Sequence, residues 1–361
     1  MGLILFQNMR LKLVLEDGSM FSGYSFGYPM STSGEVVFNT GMVGYPESLT
    51  DPSYSGQILV FTYPLIGNYG VPDFNTKEDG LNKYFESDRI QIKGLVVAEN
   101  SPEYSHWNAS DSLSGWLYKN KIPGVGGIDT RCLTKKLRER GTMLCKIVRE
   151  NEYIEYFDPS KENMVRNVST KGPVFYKAGP KRVAVIDCGC KMNIIRSLLK
   201  LNVSVLRVPW DYKELSGEKV DGYLISNGPG DPKQCTTTIE IVRGLLRKNI
   251  PVMGVCMGNQ LLALSAGADT YKLKFGHRSQ NQPCILVGTK RCYITSQNHG
   301  YAVESRTLPD DWEPWFFNAN DGTNEGIRHK NKPFRSVQFH PEATPGPTDT
   351  RFLFEEFVKS L

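Results

Sequence analysis

The sequence predicts an α/β protein. A mixed α/β amino-terminal domain rich in β-strands is expected over residues 1–150, then a doubly wound, mainly parallel-sheet domain over residues 181–361. Three observations predict it. The chain has 361 residues, which suggests about two domains. The stretch 151–180 is polar and irregular, with Asp158-Pro159, Gly172-Pro173 and Gly179-Pro180, and reads as a linker. Beyond it, apolar runs of strand length alternate with helix-forming runs. That alternation implies a parallel sheet flanked by helices.

The first part opens with a β-hairpin. Leu11–Leu15 reads as a strand, Glu16-Asp17-Gly18-Ser19 as its turn and Met20–Phe26 as the return strand. Glu35–Thr40 and Gln57–Thr62 read as further strands. Between them, Gly41–Ser53 is rich in turn residues. Ser110–Asn120 and Thr130–Arg140 read as helices, with Asp129 as a cap for the second. In the second part, Arg182–Asp187, Val203–Val208, Gly222–Ser226 and Val252–Val255 are strands. Helices over Lys191–Leu201 and about Thr236–Lys248 separate them. After Ser265 come shorter β-like runs, including Arg291–Ser296 and the strand that leads to His340. There is no internal repeat.

Composition excludes several function classes. Hydrophobic residues make up 40% of the chain and charged residues 22%, as in a protein with an ordinary core. The net charge of +5 is mild and spread out. No basic run with interleaved aromatics appears, so no nucleic-acid partner is expected. Eight cysteines form no C-x-x-C pair and no framework. They read as free thiols of a reducing compartment, and no metal site is expected from them. Cys188-Gly189-Cys190 reads as a strand end entering a turn. The apolar start Met1–Phe6 is too short for a signal peptide, lacks a basic leader and fails the myristoylation pattern at Phe6. No apolar run approaches the ~20 residues that cross a membrane. The expected setting is cytoplasmic, with no membrane partner.

The most informative stretch is Pro251–Ser265. An apolar run ends in Gly254, then Cys256, then Gly258, and a helix-forming run follows. This is the pattern of a tight strand-to-helix turn with a nucleophile at its apex. Glycines on either side let the backbone bend and let a substrate approach. The helix start supplies a partial positive charge at the thiol. Taken alone, the same residues also fit a buried cysteine in an ordinary strand–helix junction.

A second segment, Arg335–Glu342, is a β-like run ending in His340-Pro341-Glu342. Proline biases His340 toward extended geometry, in which residues i and i+2 point the same way. The Glu342 carboxylate can then orient the His340 imidazole. A thiol nucleophile needs a base, and the base needs an orienting partner. Alone, His-Pro-Glu would be a surface turn; with the cysteine turn, it completes a catalytic set. Asn227-Gly228-Pro229-Gly230-Asp231-Pro232 and Cys256 both follow strands, so both fall on the carboxyl edge of the sheet, where ligands of such folds bind.

Four landmarks in the second half, in this order and spacing, resemble class I (triad) glutamine amidotransferase domains. They are Ser226–Pro232, Gly254–Gln260, Gln297-Asn298-His299-Gly300-Tyr301 and Phe339–Glu342. The first half is similar to the amino-terminal domain of the carbamoyl-phosphate synthetase small subunit. The matching segments are Leu15–Gly18, Gly34–Thr40, Gly44–Tyr54, Thr62–Asn68 and Gly127–Arg131. The resemblance covers nearly the whole chain.

The resemblance implies hydrolysis of L-glutamine to glutamate and ammonia. It makes Cys256 the nucleophile, His340 the base and acid, and Glu342 the orienting partner. It implies glutamine contacts from Ser53, Gly228, Gly230, Met257, Gln260, Asn298, Gly300 and Tyr301. Backbone N–H groups of Met257 and of the Gly228–Gly230 loop would hold the oxyanion. Asn259 departs from the pattern, standing where many relatives have histidine; it can still hydrogen-bond in that turn.

The chain carries no GxxxxGK[ST] loop and no other nucleotide site. The resemblance implies a large synthetase subunit as partner, in a heterodimer or a higher oligomer of heterodimers. ATP and Mg are expected on that partner, with no cofactor in this chain. A chain that ends soon after His-Pro-Glu reads as a separate small subunit; a piece of a fusion would look similar. Two other readings stand beside the glutaminase. One is a scaffolding subunit with an idle triad. The other is a thiol peptidase, against which the loops around the thiol argue.

Overall fold

The computed structural model describes residues 9–361; the apolar start Met1–Phe6 lies outside the described residues. The chain divides into two compact units. The first holds the residues up to Lys77 with Asn82–Glu162, the second Glu78–Leu81 with Asn163–Leu361. The stretch expected as a linker is therefore shared between them. On one side, Tyr156 Oη donates to the Leu15 carbonyl at 3.0 Å and the Phe157 amide to Ser33 Oγ at 2.8 Å. On the other, the Thr170 amide donates to Asp187 Oδ2 at 2.7 Å. Polar composition here marks hydrogen-bonded connections rather than loose chain.

The first unit is built on a closed barrel. Its strands are β1 (Arg10–Leu15), β2 (Met20–Ser25), β3 (Thr32–Asn39), β4 (Gln57–Phe61), β5 (Gly94–Val96), β6 (Gly124–Gly126) and β7 (Met143–Arg149), in the order β1-β7-β3-β4-β5-β6-β2. Leu11, Leu13 and Leu15 point inward at period two. The Gly41–Ser53 stretch is more regular than its turn composition suggests. It forms helix α1 (Tyr45–Thr50), with proline in its first turn, where no N–H is needed, and then a 3-10 turn over Pro52–Tyr54. Helix α2 (Leu113–Lys119) is capped by Ser112, whose Oγ accepts from the Gly115 amide at 3.0 Å. Helix α3 (Thr130–Arg140) is capped by Asp129, whose Oδ1 accepts from the Cys132 amide at 2.8 Å.

In the second unit a ten-stranded sheet carries β8 (Val174–Tyr176), β9 (Lys181–Asp187), β10 (Val203–Pro209), β11 (Gly222–Ile225), β12 (Val252–Val255), β13 (Asp269–Leu286), β14 (Cys292–Glu304), β15 (Trp312–Asn318), β16 (Asn324–His329) and β17 (Phe334–Val337). The order is β8-β10-β9-β11-β12-β17-β16-β15-β13-β14. Helices α4 (Met192–Lys200) and α7 (Phe352–Ser360) pack on one face, through Ile194, Ile195, Leu198, Phe354 and Phe357 against Val183, Val185 and Val255. Helices α5 (Thr236–Leu245) and α6 (Met257–Ala266) pack on the other, through Val242, Leu245, Leu261 and Leu262 against Ala184, Ile186 and Ile225. The alternating strand residues face opposite layers. The sheet is less parallel than the sequence suggests. The pairs β10–β9, β9–β11, β11–β12 and β12–β17 are parallel; the other ladders are antiparallel. After α6 the strands through β16 are joined by short connections without crossover helices, so they return as antiparallel neighbours. All eight cysteines are free thiols, with Cys132 and Cys292 exposed. No helix among the described residues is long and apolar enough to cross a membrane.

Candidate active site

Strand β12 stops at Val255, and Cys256 then takes φ 55°, ψ −104°. A residue with a side chain avoids this region. The bend is pinned from the neighbouring strand, because the Cys256 amide donates to the Val337 carbonyl at 2.9 Å. The sequence assigns the sharp bend to the flanking glycines, whereas in the structure the strain sits on Cys256 itself. Gly258 serves close packing instead: a Cβ there would lie 2.1 Å from the Ile225 carbonyl oxygen. The thiol is buried, and Sγ lies 3.6 Å from the Asn298 carbonyl oxygen on β14.

His340 follows β17, and its amide donates to the Ser296 carbonyl at 2.9 Å. The imidazole Nδ1 lies 2.6 Å from Glu342 Oε1. Nε2 makes no hydrogen bond among the described residues. Burial alone would lower the His340 pKa. The Glu342 carboxylate and the Cys256 sulfur outweigh burial and raise it to about 10. Glu342 is fully buried, which would raise its pKa; the charges of His340 and Lys191 bring it below the usual carboxylate range instead. These shifts fix the pH dependence. The raised imidazole contributes stability that is complete below 6.5 and is lost as pH rises through about 10. The lowered carboxylate contributes stability that is lost as pH falls through its folded value. Stability, and with it the melting temperature, is therefore expected to fall between about neutral pH and pH 10. Glu342→Gln should flatten that slope in a thermal melt series; an unchanged slope would show that the pair does not titrate this way.

Lys191 is a site residue that the sequence reading missed. Its Nζ lies 3.3 Å from Glu342 Oε1 and donates to the Ala343 carbonyl at 2.6 Å, with the side chain almost fully buried. Its backbone amide donates to Asn227 Oδ1 at 3.0 Å. Asn193, on α4, donates to the Glu342 carbonyl and, at 2.7 Å, to Thr344 Oγ1. A lysine at a helix start ordinarily reads as solvent-facing, and only its carboxylate partner far along the chain identifies it.

The residues expected to touch substrate fall as follows. Met257 opens α6 directly after the thiol. Gln260 lies one turn further on; its Nε2 donates to the Tyr301 carbonyl at 2.8 Å and to Gln338 Oε1 at 3.1 Å. Asn298, Gly300 and Tyr301 lie on β14. Gly228 and Gly230 lie in the loop after β11, where a Cβ on Gly228 would meet the Cys188 carbonyl oxygen at 2.0 Å. Ser53 belongs to the first unit, in the 3-10 turn, with its amide donating to Asp51 Oδ1 at 2.9 Å. Asn259 is fully buried. It accepts from Ser336 Oγ at 2.8 Å and donates to Gln338 Oε1 at 3.2 Å. A neutral histidine also offers one acceptor and one donor, so the pattern survives the exchange.

His277, His299 and Glu325 could each offer a metal one ligand atom. His299 Nδ1 lies 2.8 Å from the Tyr301 carbonyl oxygen and Nε2 2.9 Å from the Gln297 carboxamide, and His277 Nε2 lies 2.8 Å from Asp321 Oδ2. Burial keeps His299 well below the usual imidazole range. The cluster works as a buried hydrogen-bond network behind β14.

Two family models match the chain. Glutamine amidotransferase class-I covers residues 184–360, and the carbamoyl-phosphate synthase small chain, CPSase domain, covers residues 13–147. The chain is 50% identical over 361 residues to the carbamoyl phosphate synthase arginine-specific small chain of Aspergillus fumigatus, covering 98% of this chain and 80% of that one. It is 53% identical over 353 residues to multifunctional protein CAD of Squalus acanthias, covering 96% of this chain and 16% of that protein. To carbamoyl-phosphate synthase [ammonia], mitochondrial, of Mus musculus it is 49% identical, covering 97% of this chain and 23% of that one. The chain thus spans only 16–21% of the multifunctional relatives.

Proposed function

This chain belongs to the carbamoyl-phosphate synthase small-chain family and carries a class-I glutamine amidotransferase domain, and from that membership we propose that it hydrolyses L-glutamine and delivers the ammonia to a large synthetase subunit. That partner would make carbamoyl phosphate from bicarbonate and ATP, for pyrimidine and arginine biosynthesis. ATP and Mg belong to the partner in this reading, and this chain needs no cofactor of its own. The two form a heterodimer, or a higher oligomer of heterodimers, in the cytoplasm.

The observation that carries the reading is a strained, buried thiol whose sulfur, with a carboxylate 2.6 Å from the ring, raises the pKa of the His340 imidazole. Cys256 passes its proton to His340, and the thiolate sulfur attacks the carboxamide carbon, forming a C–S bond. The oxyanion is held by the Met257 amide, at the start of α6, and by amides of the Gly228–Gly230 loop. Donors fixed in this way are worth about 3–4 kcal/mol of barrier each. His340, protonated in this way, gives its proton to the departing nitrogen as the C–N bond breaks. A glutamyl thioester remains. Water then attacks it, His340 takes the water's proton, and the C–S bond breaks to release glutamate. Glu342 holds the ring throughout, with Lys191 neutralising the carboxylate. Gln260, Asn298, Gly300 and Tyr301 bind the amino-acid end. The test is glutamate release from L-glutamine by the chain with its large subunit. Release no greater than that of Cys256→Ser would end the reading.

A further inference from the structure

We propose that the cavity between helix α7 and the amino-terminal end of β17 binds a small organic phosphate that carries a planar ring, with Arg335 and Lys332 taking the phosphate and Trp315, Tyr293 and Phe352 taking the ring. The inference goes beyond the glutaminase reading and does not depend on it.

The cavity measures about 360 Å³, at the small end of the range that holds small molecules. One wall is aromatic. The Tyr293 and Phe352 rings lie 5.4 Å apart, Phe316 joins them edge-on at 6.2 Å from Tyr293, and Trp315 packs 4.9 Å from Phe316. The rest is cationic. Arg291, Arg328, Lys332 and Arg335 line the same space, and Glu356 is the sole carboxylate among the lining residues. In a chain whose net charge is only +5, the fold holds these like charges together against their own repulsion. Arg328 has a partner outside the cavity, Glu313, at 2.7 Å. Among the described residues, Arg291 and Lys332 have no carboxylate at ion-pair distance.

Arg335 supplies the directed donors. Its guanidinium lies 5.9 Å from the Trp315 ring centre, Nη1 lies 3.2 Å from Glu356 Oε2, and Nη2 donates to the Glu356 carbonyl at 3.4 Å. These contacts hold the planar fork in place. The Arg335 side chain is 21% exposed and that of Glu356 44%, so a largely buried cation leans on a carboxylate that sits mostly in water. Burial lowers the Arg335 pKa, and Glu356 offsets only part of this. A second anion at the fork makes up the remainder, and a phosphate suits it because guanidinium N–H groups can bond two of its oxygens at once. Lys332 starts from a fixed backbone. His329 Nδ1 accepts from the Asn331 and Lys332 amides at 3.1 and 3.0 Å, while Nε2 donates to Asp311 Oδ2 at 3.0 Å. The aromatic wall beside these cations gains most from a flat ring that stacks on it. The cavity is separate from the thiol: Phe334 and Arg335 begin β17, and His340 lies beyond its other end. The sequence shows none of this, because the parts come from β14, β15, β16, β17 and α7.

The test is isothermal titration calorimetry of the full chain with three probes: adenosine monophosphate, ribose phosphate and adenosine. The monophosphate is expected to bind, and the other two to bind about tenfold more weakly or worse, because each lacks one half of the recognised group. Glu356→Gln removes the competing carboxylate and should tighten the monophosphate about threefold. Arg335→Leu should weaken it about tenfold or more. If that variant does not fold, Arg291→Gln combined with Lys332→Gln, both at exposed positions, should weaken it by a similar factor. L-Glutamine should not displace the probe. No heat of binding at millimolar monophosphate overturns the inference. So does equal affinity for ribose phosphate, affinity unchanged in the variants, or displacement by L-glutamine.

Discussion

Replacing Cys256 with serine is expected to reduce glutamate release from L-glutamine by a factor on the order of 10⁴ to 10⁶. The hydroxyl is a far poorer nucleophile than the sulfur it replaces, and the imidazole and oxyanion donors act only on an attack already under way. The substitution exchanges one small buried side chain for another at a position whose backbone is fixed by the Val337 carbonyl, so the fold should persist. Two readouts separate the competing readings. A glutaminase predicts that the serine variant loses glutamine-dependent synthesis by the complex while synthesis from added ammonia continues. A scaffolding subunit with an idle triad predicts equal glutamate release before and after the substitution. Peptide cleavage that depends on Cys256, with no effect on glutamine, would favour the peptidase.

The second large effect is expected two residues further on. Gly258→Ala would place a methyl group 2.1 Å from the Ile225 carbonyl oxygen and 2.8 Å from its carbon. Both atoms are backbone at the end of β11, and neither can swing aside. The start of α6 must then lift off the sheet and carry Cys256 and Met257 with it. Overpacking of this kind costs about 1–3 kcal/mol, sometimes more, and the melting temperature should fall accordingly. Activity should fall further, about 100-fold, because a displacement near 1 Å at a nucleophile is that expensive. Gly244 on α5 provides the comparison: it is exposed, and a methyl group there would meet nothing within 4 Å. Alanine there should stabilise by about 0.5–1 kcal/mol. Similar melting behaviour for the two alanine variants would show that the contact at Gly258 relaxes.

The parts of this protein that could be read from its chain are the local ones. Leu11, Leu13 and Leu15 announce a half-buried strand by period alone, and Asp129 announces a helix start by its side chain. The Cys256 turn is legible because apolar strand, glycine, thiol, glycine and helix lie in one contiguous run. His340 and Glu342 are legible for the same reason. The unread parts depend on distant partners. Barrel closure rests on β1 pairing with β7, Leu11 against Arg149, and nothing local in either strand specifies the other. Helix α1 hides in Gly41–Ser53 because Gly44 takes φ 80° just before it and a proline follows, both of which read as turn signals. Lys191 and Gln338 look ordinary in isolation. Each acquires its meaning only when a carboxylate or an amide from another element arrives beside it.

The left-handed backbone at Cys256 has a consequence for how variants of this protein can be ranked. Strain of this kind is worth about 1–3 kcal/mol, and glycine would relieve it while erasing the sulfur on which the proposed function rests. Laboratory evolution guided by thermal tolerance alone would therefore be drawn toward an inert chain. Durability and turnover oppose one another at this position, and a screen must reward both to keep the reactive centre.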